Sequence, residues 1–139
     1  MSRADKYTEL TNPDELYSDF LVNLNPHPVS GAVLRFTNEK AVTRSIRNLL
    51  LTNPGERLYQ PDLGSGIRQL LFEPISNFTS NMLGRFIEDT INKYEQRAKV
   101  LAVDVIPEED KNRYTVTIVY VLINKQEPVS ITVTLQRVR

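Results

Sequence analysis

Residues 114–123, YTVTIVYVLI, run for ten positions without a charge. Tyr114, Val116, Ile118, Tyr120 and Leu122 alternate with Thr115, Thr117, Val119 and Val121, the period of two that marks a β-strand. Toward its end the run is apolar on both parities. At the rim of a sheet it would expose unpaired N–H and C=O groups on an aggregation-prone segment, so it belongs in the middle of one. A central strand needs two neighbours, and the sequence supplies them. Leu101, Val103 and Val105 alternate with Ala102 and Asp104 before it, and Val129, Ile131, Val133 and Leu135 alternate with Ser130, Thr132, Thr134 and Gln136 after it. The links 107–112 and 124–128 are polar, turn-forming and short enough for antiparallel hairpins. The last strand, about residues 129–138, is apolar on one parity and carries hydroxyls and an amide on the other, so it reads as an edge.

Before residue 100 the period is helical. From Glu39 to Thr52, Val42, Ile46, Leu49 and Leu50 share one face, while Lys40, Arg44 and Arg47 form an opposite basic stripe, either solvated or meeting an acidic partner. A short strand over Ala32 to Phe36 precedes it, with Thr37 or Asn38 as a cap. The longest helix should run from Ser76 or Thr79 to Glu95, with Leu83, Phe86, Ile87, Thr90 and Tyr94 inward and Ile91 flanking. Gly84 within it costs ~1 kcal/mol relative to Ala unless it admits another backbone. The leading residues, 1–31, contain Pro13, Pro26 and Pro28 and read as an arm. Leu16, Tyr17, Phe20, Leu21 and Leu24 have the spacing of a short amphipathic helix starting near residues 12–15, and the arm either folds back or docks on a neighbour. His27, between two prolines, reads as a turn residue. Helices first and strands last predict an α+β fold, with the N-terminal arm and about three helices packed on one face of a three-stranded antiparallel C-terminal sheet, residues 32–139 forming a single domain.

Little chemistry is written here. Seventeen basic and seventeen acidic residues leave no net field for steering onto nucleic acid or an anionic membrane. Without Cys there is no disulfide, thiolate metal site or cysteine nucleophile. No apolar run approaches the ~20 residues of a membrane helix. The single His has no partner for a metal site or a triad, no Gly-x-Ser-x-Gly elbow occurs, and Gly64-Ser65-Gly66 lacks the Lys-Ser/Thr ending of a phosphate loop. No cofactor is expected.

Between the two long helices lies a turn-rich stretch, residues 52–73 (TNPGERLYQPDLGSGIRQLLFE), whose Asn53-Pro54-Gly55 ends the preceding helix. Pro61 and Gly64-Ser65-Gly66 make further turns, after which Ile67, Leu70 and Leu71 form a short apolar helix ending at Phe72. Pro54, Gly55, Pro61, Gly64, Gly66 and Phe72 are the structural residues of this loop, with Gly55, Gly64 and Gly66 candidates for positive φ.

Its motifs Pro54-Gly55-Glu56-Arg57, Pro61-Asp62-Leu63-Gly64-Ser65-Gly66 and Leu70-Leu71-Phe72-Glu73 resemble the central signature of the baseplate wedge and sheath-initiator family of contractile phage tails, which has relatives in type VI secretion baseplates. The likeness extends from Pro28 to Pro107 and includes residues 41–51 and 94–107. It implies a structural, non-enzymatic component of the baseplate wedge in a virion's contractile tail, bound to wedge proteins through their helical core bundle and to the tail sheath protein. Glu95, Gln96 and Arg97 fall where the family has Glu-Pro-Arg, so the resemblance makes them the contact to the core bundle. Gln96 in place of Pro permits the helix to run on, and Glu95 and Arg97 could share a partner only if the chain bends there. For the sheath, the expected contact is the final strand, Val129, Ser130, Ile131, Thr132, Val133, Thr134, Leu135 and Gln136, offered as an edge for strand addition. The family has also been labelled lysozyme-like, which makes a peptidoglycan hydrolase the alternative. Its carboxylates would be Glu95 with Asp104, or the Glu108-Glu109-Asp110 turn, though no Trp is present to line a sugar groove.

Overall fold

A computed structural model of the chain describes residues 16–20, 26, 28–29 and 31–137. The chain divides into two compact units, residues 1–41 and 42–139.

The sheet lies in the second unit. Strands β3 (Ala98–Glu108), β4 (Arg113–Leu122) and β5 (Pro128–Gln136) pair antiparallel in the order β3-β4-β5, which puts the uncharged strand in the centre. Its alternation has the expected result: Tyr114, Val116, Ile118, Tyr120 and Leu122 are buried, as are Ile131, Val133 and Leu135 of β5 on the same face. Burying each such side chain contributes roughly 1.5–3 kcal/mol, so the face closes only when helices cover it. Two long helices, α1 (Asn38–Leu51) and α3 (Asn77–Tyr94), and one short one, α2 (Ile67–Leu70), supply the remaining core with Val42, Ile46, Leu50, Ile67, Leu83, Ile87 and Ile91. The architecture is α+β.

Helix α3 begins where a cap can hold it. Ser76 is extended and its hydroxyl accepts from the Thr79 N–H at 3.1 Å, satisfying one of the donors that a helix start leaves open. Gly84 faces β3, where an added Cβ would meet Val105 Cγ2 at 3.7 Å. Two expected positions change places on this helix: Ile91 is fully buried, whereas Phe86 is partly exposed with its ring lying near Gly66.

On β3 the apolar phase also departs from expectation. The register slips between Val100 and Ala102, a β-bulge that leaves Leu101 out of the pairing. Leu101 is therefore exposed, and Val103 and Val105 face inward in phase with Ala98 and Val100. At the far end Glu108 clasps the hairpin, accepting from Thr115 Oγ1 at 2.5 Å and from Arg113 Nη2 at 2.9 Å, with Lys111 Nζ at 3.2 Å. Bonds from Thr115, Arg113 and Lys111 hold its carboxyl down at a pKa of about 2.

The stretch between α1 and α2 is a closed loop. Ser65 N donates to Thr52 O at 2.9 Å, its hydroxyl donates to Leu50 O at 2.6 Å, and Gly55 N donates to Pro61 O at 2.7 Å. Asn53 binds both oxygens of Glu56, and Tyr94 from the end of α3 donates its hydroxyl proton to Asp62 O. Gly55 and Gly64 adopt positive φ, 88° and 143°, as expected; Gly66 does not, with φ −76° at the start of α2.

The first unit contains a two-stranded sheet of β1 (Ser18–Phe20) and β2 (Arg35–Thr37), plus a bridge between Pro26 and Val33. The predicted amphipathic helix therefore does not form over residues 18–20. Pairing with β2 and bonds to Asn38, whose side-chain oxygen accepts from Leu16 and Tyr17 N–H, meet the backbone's needs there instead. Residues 12–15, Leu21, Leu24 and His27 lie outside the described residues, and the strand foreseen at Ala32 to Phe36 begins only at Arg35.

An added Cβ at Gly64 would sit 2.7 Å from Thr52 O and 2.8 Å from Asn53 C, both rigid backbone. Gly64→Ala should lower stability by about 3 kcal/mol, since strained φ alone costs roughly 1–3 kcal/mol. Gly66→Ala, in ordinary contact with the Phe86 ring, should change it by less than ~1 kcal/mol. Urea unfolding of the two variants compares them directly, and equal losses would contradict the asymmetry.

Candidate functional site

Helix α3 ends at Tyr94, and Glu95, at φ −114° and ψ 81°, turns the chain out of the helix even though Gln96 would have allowed it to continue. The turn is closed by Glu95 N to Ile91 O at 2.8 Å and Ala98 N to Glu95 O at 3.3 Å. What holds it is the Glu95 side chain. Only 4 % of this residue is exposed, and its carboxylate accepts from Arg97 Nε at 2.6 Å, Arg97 Nη2 at 2.7 Å and Ser45 Oγ of α1 at 2.5 Å. The two-pronged pairing with a guanidinium is the strongest geometry open to a carboxylate. Burial pushes the Glu95 carboxyl up, but the bonds from Arg97 and Ser45 and the Arg97 charge outweigh it and hold the group below its ordinary value. Arg97 is less enclosed, with 37 % of its side chain exposed, and Gln96 is exposed. The three residues expected to meet the wedge core thus fall on one tight turn, where Glu95 is an inward anchor and Arg97 and Gln96 reach the surface. Ser45 was not foreseen as part of this group. The available signal was a hydroxyl within the apolar face marked by Val42 and Leu49, where even a half-buried polar group favours a partner.

The second candidate surface is the rim of the sheet. Arg137 N donates to Asn112 O at 3.1 Å, continuing the uninterrupted β4–β5 register. Donors two residues apart point the same way, so the N–H groups of Leu135, Val133, Ile131 and Val129 face β4, and those of Gln136, Thr134, Thr132 and Ser130 face outward. Ile123 N donates to Arg97 O at 3.1 Å, and the same reasoning, carried past the bulge, leaves Val103 and Val105 N–H on the outer side of β3. The two rims differ. β3 carries a bulge, charged Lys99, Asp104 and Glu108, and Pro107 on its outer parity; β5 has a regular register, no charge from Pro128 to Gln136 and no proline after its first residue. The first set of features blunts an edge against pairing, and β5 lacks them. Val138, within the expected span of this strand, lies outside the described residues.

The signature loop gathers Pro54, Gly55, Pro61 and Gly64 into its closed turn, with Gly66 opening α2 and Phe72 exposed just past it. Its tip carries Leu58 and Tyr59, 93 % and 98 % exposed, which sequence reasoning did not single out. Asp104, the other carboxylate considered with Glu95, is exposed on β3 and pairs opposite Thr117.

This helical layer over a three-stranded meander recurs in known proteins. A solved protein described as a tail lysozyme, from Geobacter sulfurreducens, superposes with a TM-score of 0.72 at 25% sequence identity, covering 78% of this chain and 98% of that one. A component of the baseplate of the anti-feeding prophage shares the fold with a TM-score of 0.60 at 21% identity, over 88% of this chain and 87% of its own. The fold is one found in a contractile-machine baseplate. More specifically, residues 37–127 match the family described as baseplate wedge protein gp25, and the chain belongs to that family. Baseplate wedge protein gp25 of Enterobacteria phage T4 is 28% identical over 120 residues, 86% of this chain and 90% of that protein.

Because the folded Glu95 carboxyl titrates below its unfolded value, near 4.3, its bonds stabilise the protein above that pH and the contribution is lost as pH falls through the lower folded value. Arg97→Ala removes the guanidinium but leaves the burial, so the Glu95 pKa should rise. Carbon-detected NMR titration of the Glu95 carboxyl in both proteins measures the change; an unmoved pKa would mean that Arg97 is not what holds it down.

Proposed function

We propose that the protein is a structural component of a contractile-tail baseplate wedge that binds the helical core bundle through the Glu95–Arg97 turn and starts the sheath by offering the outer edge of β5 to an arm of the first sheath subunit. Family membership supports the baseplate role. The observation that carries the sheath reading is the contrast between the rims: β5 is regular, uncharged and unguarded, with the N–H groups of Ser130, Thr132, Thr134 and Gln136 turned outward. Strand addition draws affinity from main-chain bonds and register from alternate side chains, and exposed Thr132 and Thr134 leave room for a neighbour. On the wedge side, Glu95 fixes the Arg97 guanidinium in one orientation, so little side-chain entropy remains to be lost on docking. In the assembled particle this puts the protein in the virion's tail baseplate, with wedge and sheath proteins as its partners.

The resemblance to a protein described as a tail lysozyme raises hydrolysis as a second reading. A glycosidase acid must stay protonated near neutral pH, which requires a raised pKa. Glu95 is held the other way, and Glu108 more so, at about 2. The purified protein should leave suspensions of bacterial cell wall turbid; clearing that Glu95→Gln abolishes would overturn the non-enzymatic reading.

Reconstitution separates the two proposed contacts. Arg97→Ala strips buried Glu95 of its charged partner and should lose stability as well as copurification with the wedge proteins, whereas Gln96→Ala leaves that pairing intact and should lose copurification with an unchanged melting temperature. Thr134→Pro or Thr132→Pro, which removes an outward N–H, should keep wedge binding and lose sheath recruitment, whereas Val133→Pro or Ile131→Pro, which removes a bond to β4, should impair folding itself. Full-length sheath on particles that incorporate Thr134→Pro would contradict the strand-addition mechanism.

A further inference from the structure

A groove of about 260 Å³ is lined by the end of α1 at Leu50 and Leu51, by Asn53, by residues of the α2 region including Arg68, and by residues 134–136 of β5. It is smaller than the clefts of about 300–1,000 Å³ that take drug-sized ligands, and suits one large side chain. Leu51 is 54 % exposed, an unusual position for a leucine on a helix whose other apolar residues are buried. The groove also has a fixed relation to the strand. Leu135 is buried on the helical side while Thr134 and Gln136 are exposed, and all three line the groove, so it adjoins the residues beside which an added strand would lie.

We infer that this groove selects the strand that β5 accepts: an extended segment with a large aliphatic residue on its inward parity, seated against exposed Leu51 beside residues 134–136. The inference rests on the proposal that β5 is the pairing edge, and it adds what that proposal leaves open, the side-chain chemistry that sets register. A main-chain ladder alone tolerates sliding by two residues; one filled apolar site makes a single register favourable. An added strand runs about 4.8 Å from β5, and its side chains alternate between faces, so only residues of one parity reach the groove. Arg68 also lines the groove and favours an acidic or polar neighbour there over a basic one.

Leu51 can be changed without touching the buried core or the strand's backbone. The test measures binding of the particle's own tail sheath protein by cosedimentation to the full-length chain with Leu51→Gln, Leu51→Met, the loop-tip control Leu58→Gln, and Thr134→Pro. Leu51→Gln should weaken binding about tenfold, because a polar amide is left in an apolar site, while Leu51→Met and Leu58→Gln stay within about twofold of the parent. Serine scanning of the sheath arm should then find one aliphatic position whose loss is no longer additive with Leu51→Gln. If Thr134→Pro abolishes binding while Leu51→Gln leaves it unchanged, the pairing edge stands and the selecting groove is wrong. If neither substitution matters, the edge reading fails and takes the groove with it. Equal losses in Leu51→Gln and Leu58→Gln would also overturn the inference, since the effect would then be general surface polarity.

Discussion

A carboxylate buried at the point where helix gives way to sheet organises this molecule. Withdrawing Glu95 from water carries a penalty of several kcal/mol that only close charge-assisted bonds offset. Arg97 and Ser45 supply them, and in doing so tie the end of α3, the start of β3 and the middle of α1 to one another. The consequences run outward along the sheet. Arg97 O receives Ile123 N, which sets which residues of β4 face β3 and hence which face β5. By that parity Thr132 and Thr134 turn their N–H groups away from the sheet. One ion pair, anchored on the buried Glu95, therefore stands upstream of both proposed partner contacts.

The same turn explains how an assembly protein can present an arginine without leaving it loose. A free surface arginine loses considerable rotamer freedom on docking, and isolated surface ion pairs contribute little. Here the carboxylate underneath holds the guanidinium in one orientation, as the proposed wedge contact would require. The rims of the sheet follow a parallel logic: bulge, proline and charge protect β3, while β5 is left available, its uncharged edge tolerable if a partner covers it in the assembled state.

What the sequence disclosed was local. The period-two run of β4 and the alternation of β5 fix their own burial, and Ser76 three residues before the Thr79 N–H is a start signal that needs no tertiary information. The closed loop was recognisable from its prolines and glycines because positive φ at Gly55 and Gly64 is a demand that only glycine meets cheaply. The misreadings needed distant contacts. A bulge at Leu101 arises from pairing with β4, so alternation in β3 alone could not reveal it. Phe86 stays partly exposed because its ring lies toward Gly66 rather than into the sheet, and the Glu95 carboxylate at the helix break takes one of its bonds from Ser45, fifty residues earlier. The residues of the proposed contacts were thus named from the chain, but Glu95 as an inward anchor and the groove at Leu51 emerge only in three dimensions.

The most direct measurement is a cryo-electron microscopy map of the baseplate–sheath junction in the intact particle, resolved well enough to trace backbone. A fourth strand hydrogen-bonded along Ser130, Thr132, Thr134 and Gln136, contributed by the first sheath subunit, is the predicted result. A junction in which the outer edge of β5 faces solvent or a helix, with the sheath held elsewhere, would contradict it.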